Sequence, residues 1–226
     1  MSKKYVIGID QSTQGTKALL FNENGDLLLR TDLPHEQIIN DKGWVEHNPE
    51  EIYSNTVSVV KMLVEESGVD KSEIAGVGIS NQRETAVVWN KTTGKPVYNA
   101  IVWQCARGAA ICEEIAKKDG SEELVRSHTG LALSPYFSAA KIAWVLQNVD
   151  GAKEMAEKHD ICHGTVDSFL VYRLTKEHAY KTDYSNASRT QMFNIIDLKW
   201  DKEVCDLFGI DTENLAEVCD SDSCFG

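Results

Sequence analysis

The stretch from Tyr5 to Asn22 sets the strongest limit on what this chain can fold into. It reads Tyr-Val-Ile-Gly-Ile-Asp10, then Gln11-Ser12-Thr13-Gln14-Gly15, then Thr16-Lys17-Ala-Leu-Leu-Phe21. Two short apolar runs rich in β-formers flank a polar loop, the pattern of two antiparallel strands joined by a tight turn. The loop carries unusual chemistry. An acid closes the first strand, hydroxyls and a glycine fill the turn, and a lysine opens the second strand. Hydroxyls and backbone N–H groups in so small a loop can hold phosphate oxygens, and a nearby carboxylate can hold a hydrated Mg²⁺. A plain polar turn satisfies the same pattern. Neither Gly-x-x-x-x-Gly-Lys-Ser/Thr nor Gly-x-Gly-x-x-Gly is present, and the residues after Gly15 read as a strand where both motifs need a helix.

Further along, Asn24-Gly25 signals a turn, and Leu27–Thr31 extends the hairpin into a three-stranded meander. Lys42 to His47 is irregular. Asn48-Pro49-Glu50-Glu51 supplies a capping side chain, a proline at the first helical position and an acid three residues after the cap. The helix beyond it can bury Ile52, Thr56, Val59, Val60 and Leu63 on one face, and Gly68 stops it. Ile74–Ile79 reads as a buried strand with a polar outlet at Ser80–Thr85. Ala86–Asn90 is the next strand, then a Thr93-Gly94 turn and an apolar strand between Pro96 and Trp103. Helices are predicted over Ala106–Lys118, Ser138–Gln147 with Ser138 as its cap, Thr165–Leu174, and Trp200–Phe208 ended by Gly209. A strand is predicted at Asp160–His163 and a polar loop from Thr182 to Arg189. Asp220–Gly226 has no capping or closing element, so the chain is expected to stop in a loop. A meander succeeded by alternating helices and strands, without repeat or linker, predicts an α/β domain with a mixed sheet.

The 226 residues carry a formal net charge of −12. Nucleic acid or an anionic membrane needs a basic footprint, so neither is an expected partner, and any bound phosphate must be gripped locally. No apolar run approaches membrane-spanning length, and Met-Ser-Lys-Lys leads into a strand rather than a signal-peptide core. The expected location is cytoplasmic. Cys105, Cys112, Cys162, Cys205, Cys219 and Cys224 contain no Cys-x-x-Cys pair, which predicts reduced structural thiols.

Three polar or aromatic clusters carry further chemistry. Asn81-Gln82-Arg83-Glu84-Thr85 sits where a strand emerges, and an arginine beside a carboxylate offers donors and acceptors suited to a polyhydroxylated ligand. Such a pair is also an ordinary surface ion pair. Trp103 ends an apolar strand and can pack on a ligand's carbons or in a core. Tyr136 lies in the loop entering a helix, where its hydroxyl can reach a ligand. Lys141, five residues on, is compatible with an exposed helix position.

Taken in order, Gly8-Ile-Asp10-Gln11-x-Thr13, Asn81–Thr85, Ala100-Ile-Val-Trp103-Gln104 and Tyr136-Phe-Ser138-x-x-Lys141-x-x-Trp144 resemble the FGGY family of carbohydrate kinases. Gly164-Thr-Val-Asp167, Thr182–Arg189 and Glu217-Val218 extend the resemblance over the whole chain. Within the family it is strongest to the members that phosphorylate glycerol. The resemblance implies an actin-like ATPase, ribonuclease H-like domain with a mixed central sheet, in which residues 1–226 form the N-terminal, substrate-binding half. A C-terminal nucleotide-binding domain would come after it and supply the general base. ATP and Mg²⁺ are the implied cofactors.

By the same resemblance Asp10 would help hold Mg²⁺, while Thr13, Gln14, Gly15 and Lys17 would surround the transferring phosphates. Arg83, Glu84 and Tyr136 would bind substrate hydroxyls, with Trp103 on the carbons, and Lys141 and Trp144 would brace a helix. No catalytic residue is expected in this chain, which is expected to be inactive alone. A homo-oligomeric full-length protein is compatible with these expectations. Glycerol-phosphorylating members usually carry Gly-Thr-Thr-Ser-Ser-Arg after Asp-Gln. Here Ser12-Thr13-Gln14-Gly15-Thr16-Lys17 stands instead, so phosphate contacts would lean on backbone N–H groups, and a lysine replaces the bidentate arginine fork. The alternatives are a kinase for another sugar such as xylulose, an actin- or chaperone-like ATPase, and a non-catalytic sugar-binding domain. The Arg83, Trp103 and Tyr136 cluster argues against the ATPase, and the hairpin argues against a purely sensory domain.

Overall fold

The computed structural model describes residues 4–226. Along the chain run β1 (Tyr5–Gln11), β2 (Gly15–Asn22), β3 (Leu27–Pro34), β4 (Ile38–Ile39), β5 (Val45–His47), α1 (Pro49–Ser67), β6 (Ile74–Asn81), β7 (Ala86–Asn90) and β8 (Ala100–Ile101). Next come α2 (Ala109–Ala116), α3 (Ser121–Thr129), α4 (Ser138–Asn148), α5 (Ala152–Glu157), β9 (Ile161–Thr165) and α6 (Val166–Leu174). β10 (Lys181–Asp183), α7 (Tyr184–Ala187), β11 (Phe193–Asn194), β12 (Lys199–Trp200), α8 (Lys202–Phe208) and β13 (Glu217–Cys219) complete it. Two compact units form: the chain up to Gln37 with His47–Gln82, and Ile38–Glu46 with Arg83–Gly226.

The first unit is built on a sheet in the order β3-β2-β1-β6. β1 and β2 pair antiparallel, with Asp10 opposite Lys17, and β6 runs parallel to β1. The sheet is therefore mixed, as the sequence predicts. Alternation along β1 and β2 turns Ile7, Ile9, Ala18 and Leu20 inward, where Val59 and Leu63 of α1 close the core. The cap, the proline and the terminal glycine of α1 act as predicted, whereas Glu51, the acid three residues after the cap, accepts from the Glu36 N–H. The Asn48 side chain accepts from the Glu50 N–H, and Gly68 ends the helix in the left-handed conformation at φ 65°. β6 departs from expectation: it is a strand, but Ala75 to Gly78 are exposed. It lies at the edge of the sheet, so its apolar run is not covered among the described residues.

The second unit centres on a sheet ordered β4-β5-β8-β7-β9, in which β7 pairs antiparallel with β9. β7 is buried throughout except at Asn90. Trp89 is fully buried, with the rings of Phe169, Tyr172 and Tyr180 edge-on around it at 5.4–5.6 Å. α4 crosses the middle of the core and is buried from Ser138 to Ala143.

Several expectations change here. The helix predicted from Ala106 begins at Ala109. Arg107 turns inward to Glu46, and a Cβ on Gly108 would lie 2.8 Å from the Ala140 side chain, so the chain packs before it coils. The segment Lys42–His47 contains β5, and the Pro96–Trp103 stretch is strand only at Ala100–Ile101. The polar loop Thr182–Arg189 holds the end of β10 and the single turn α7, capped by the Asp183 side chain. Trp200 belongs to β12, and the last helix starts after an Asp201 cap. Ser138 does not cap α4: Phe137 occupies that position, and the Ser138 hydroxyl donates to the Glu84 carbonyl instead. α3 and α5 have no counterpart among the predicted helices. Among the described residues no helix is long and apolar enough to cross a membrane.

Candidate functional site

The sequence-predicted residues fall into two groups, one in each unit. In the first unit the group is the β1–β2 turn. The Ser12 N–H and hydroxyl both donate to the Gly15 carbonyl, at 2.9 and 3.0 Å, closing the loop on itself. The Ser12 carbonyl takes bonds from the Gln11 side-chain amide (3.0 Å) and from Gln82 (3.4 Å), and lies 2.8 Å from His35 Nε2. Gln11 and Gln82, which sequence reading treats only as motif residues, therefore hold the turn from beneath. Gly15 is there for a packing reason. A Cβ at that position would stand 2.5 Å from the Leu33 carbonyl oxygen, so β3 can pass only if residue 15 has no side chain.

Above this base Gln14 is exposed and Thr13 half-buried. The pairing register that sets Asp10 opposite Lys17 brings the Lys17 ammonium to 2.9 Å from Asp10 Oδ2, both side chains remaining open to solvent. Acid and ammonium thus pair across the hairpin at the strand ends that flank the loop.

In the second unit Arg83 is exposed and Glu84 turns inward. Glu84 sits at φ 61°, in the left-handed region, one residue before the Thr85 side chain that accepts from the Trp103 N–H at 3.1 Å. A non-glycine residue held there marks a backbone constrained by its surroundings. Two contacts supply the constraint: Ser138 donates to the Glu84 carbonyl at 3.2 Å, and Arg189 Nε donates to the carboxylate at 2.6 Å. The Glu84 side chain is 5% exposed and that of Arg189 31%. The Arg189 guanidinium also lies over the Phe137 ring, 5.1 Å from its centre.

Phe137 adjoins Tyr136, whose ring meets Trp103 edge-to-face at 5.6 Å. Trp103 and Tyr136 are therefore in contact, and the same short loop carries Phe137 to the Arg189 guanidinium that holds Glu84. Arg189 is the residue whose part sequence reasoning missed, and Lys141, expected to brace a helix, bonds to the loop that precedes it. Lys141 is fully buried, not a surface helix lysine, and its ammonium is directed at the loop before α4. Burial pushes its pKa down to about 7.

Four residues after Trp103, Arg107 forms a second buried ion pair, with Glu46 at 2.6 Å, and the Trp44 and Trp144 rings lie 4.6 and 4.8 Å from its guanidinium. Burial would raise the Glu46 pKa, but hydrogen bonds from Asn99, Arg107 and Tyr98 outweigh it and hold the carboxyl below its ordinary value. The Trp144 ring thus packs against this ion pair.

Residues 5–226 match the N-terminal domain of the FGGY family of carbohydrate kinases. The chain is 52% identical over 222 residues to glycerol kinase 1 of Thermotoga maritima, covering 98% of this chain and 45% of that protein. It is 49% identical over 216 residues to glycerol kinase of Bacillus licheniformis, covering 96% and 43% respectively. Among solved structures, Plasmodium falciparum glycerol kinase with ADP superposes with a TM-score of 0.89 at 36% identity, over the whole of this chain and 45% of that one. A ligand-bound xylulose kinase of Lactobacillus acidophilus shares the fold at a TM-score of 0.82 and 24% identity, over 96% of this chain and 42% of that one. The actin-like, ribonuclease H-like architecture read from the sequence is the fold of these structures. The chain spans less than half the length of these relatives.

Proposed function

The chain belongs to the FGGY family of carbohydrate kinases, matching its N-terminal domain, and on that premise we propose that the protein containing it moves the γ-phosphoryl group of ATP to a hydroxyl of glycerol. The observation that carries this reading is the grouping around one loop of a carboxylate clamped by a guanidinium and an edge-to-face aromatic pair, with the exposed Arg83 next in sequence to the carboxylate. Arg83 would donate to the oxygens of the acceptor, and Glu84, whose Oε1 is taken by Arg189, would offer Oε2 to a hydroxyl hydrogen. Trp103 would pack on the carbon skeleton, and the Tyr136 hydroxyl would complete the polar ring.

On the phosphate side Thr13, Gln14 and Lys17 would meet the transferring group, since the Ser12 N–H is already committed to Gly15. Gly15 would act by letting β3 fit beneath the turn rather than by contacting phosphate. Asp10 is the only carboxylate in the hairpin, and among the described residues no group of three His, Cys, Asp or Glu side chains could hold a metal. A single carboxylate suits Mg²⁺, which keeps its waters and takes further oxygens from phosphates. Asp10 is the residue that would hold it, oriented by Lys17. Bound there, Mg²⁺ would supply charge neutralisation for phosphoryl transfer.

The general base and the rest of the nucleotide site are assigned to a C-terminal domain beyond this chain. A positioned base contributes about 10²–10⁴-fold, so the chain alone should not turn over measurably. Six free cysteines, four of them buried, support a reducing, cytoplasmic setting. The test is ATP-dependent phosphorylation by the full-length protein of glycerol, xylulose and gluconate, with residues 1–226 assayed alongside. Glycerol should be preferred and the chain inert. A preference for xylulose would transfer the acceptor assignment to the sugar kinases, and turnover by the chain alone would refute the placement of the base.

A further inference from the structure

Lys141 is a costly residue in its position. Its side chain has no exposed surface, and no carboxylate stands within ion-pairing distance among the described residues. It occupies the first turn of α4, where a cation opposes the helix dipole. Burial without a counter-ion and opposition to the dipole both weigh against a role in stability. What the ammonium does make is three hydrogen bonds to backbone carbonyls: Pro135 at 2.8 Å, Tyr136, and Phe137 at 3.1 Å. An ammonium has three donors, and all three are spent on consecutive residues of one loop. That loop carries Tyr136, whose ring rests on Trp103, and Phe137, which lies under Arg189, the partner of Glu84.

We infer that Lys141 is a positioning residue for acceptor binding: its ammonium clamps the 135–137 backbone so that Tyr136 and, through Phe137 and Arg189, Glu84 keep the geometry that meets the acceptor. The inference rests on the reading that Tyr136 and Glu84 touch the polyol. The charged groups that reach Lys141 are Glu84 and Arg107, acting in opposite senses, along with the Cys105 and Cys112 thiols. None replaces the carbonyls as a partner.

The experiment uses the full-length protein. Lys141→Met keeps the stem and removes the donors. It should raise the glycerol KM roughly tenfold to a hundredfold, the scale of a small displacement of a binding group, with the ATP KM nearly unchanged. Its unfolding midpoint should stay close to that of the parent, because relief from burying a charge offsets the loss of the three carbonyl bonds. In Lys141→Ala, added propylammonium, which replaces the atoms removed, should bring the glycerol KM back toward the parental value, whereas tetramethylammonium should not. An unchanged glycerol KM in Lys141→Met, an equal rise in both KM values, or loss of the folded state would each overturn the inference. Tyr136→Ala separates the two levels. If it leaves the glycerol KM unchanged, the assignment of the site fails; if it raises the KM and Lys141→Met does not, only the clamp fails.

Discussion

Replacing Arg189 by methionine strands the Glu84 carboxylate, and the structure sets the scale of the damage. The pair is 2.6 Å apart, with the Glu84 side chain 5% exposed and Arg189 31% exposed. Removing one partner of a fully buried pair costs about 3–5 kcal/mol, because an uncompensated charge stays behind. Water reaching the outer third of Arg189 screens part of that, so about 2–3 kcal/mol is expected for Arg189→Met. Glu84→Gln should cost less, since the amide oxygen can still accept from Arg189 Nε and no charge is left buried. In the double variant the two losses overlap, giving a coupling energy of about 1.5–2.5 kcal/mol. The assay is urea unfolding of the parent, both single variants and the double variant, with the glycerol KM measured on the same samples. Arg189→Met should raise the KM, because the carboxylate must turn toward water or another donor, leaving only the Ser138 bond to hold the φ 61° backbone. A coupling energy below about 0.5 kcal/mol together with an unchanged KM would refute the claim that Arg189 aims Glu84.

Gly15→Ala should destabilise the hairpin by about 1–3 kcal/mol, because the new methyl group meets the Leu33 carbonyl oxygen at 2.5 Å and backbone cannot give way as a side chain would. Thermal unfolding checks this, and a midpoint equal to the parent's would show that β3 can move aside. Burial raises the Asp167 carboxyl from 3.8 to about 6, against hydrogen bonds from Thr165 and Thr182 that act to lower it. A raised acid pKa means that the folded state holds the proton more tightly. The stabilisation is complete below about pH 4 and is lost as pH rises through 6, a change of about 3 kcal/mol. Unfolding free energies of the parent and Asp167→Asn between pH 4 and 7 should therefore diverge, the parent losing stability relative to the variant as pH rises. Parallel curves would contradict the buried acid.

The elements that could be read from the chain are those whose information is local. β1 and β2 alternate strictly enough to fix both their faces and the Asp10–Lys17 pairing, and α1 announces both ends through Asn48, Pro49 and Gly68. The short strands β5, β8 and β10 have two or three residues each and exist because a partner strand is present, which no local pattern reports. α3 is hidden by its polarity: within Ser121–Thr129 only Val125 is an apolar residue that is fully buried, and left-handed glycines at 120 and 130 read as loop.

The site divides in the same way, for an electrostatic reason. Arg83, Trp103 and Tyr136 stand at the surface or half-buried in recognisable clusters, so their chemistry shows in sequence. The ion pairs beside them join residues far apart in the chain: Arg189 lies 105 residues from Glu84, and Arg107, in the turn before α2, pairs with Glu46 of β5. Lys141 reads from the sequence as a helix brace, and no local pattern says that its ammonium ends on the carbonyls of residues 135–137. A buried charge survives only where its partners are fixed, and fixed partners make it a rigid reference for whatever is attached to it. The 81–85 stretch is wholly polar, and the 134–137 loop packs through its two rings, Tyr136 on Trp103 and Phe137 on Arg189. Arg189 and Ser138 bond to Glu84 and Lys141 bonds to the 135–137 carbonyls, and so substitutions at these three positions, none of which needs to touch the acceptor, are where acceptor affinity should change without loss of the fold.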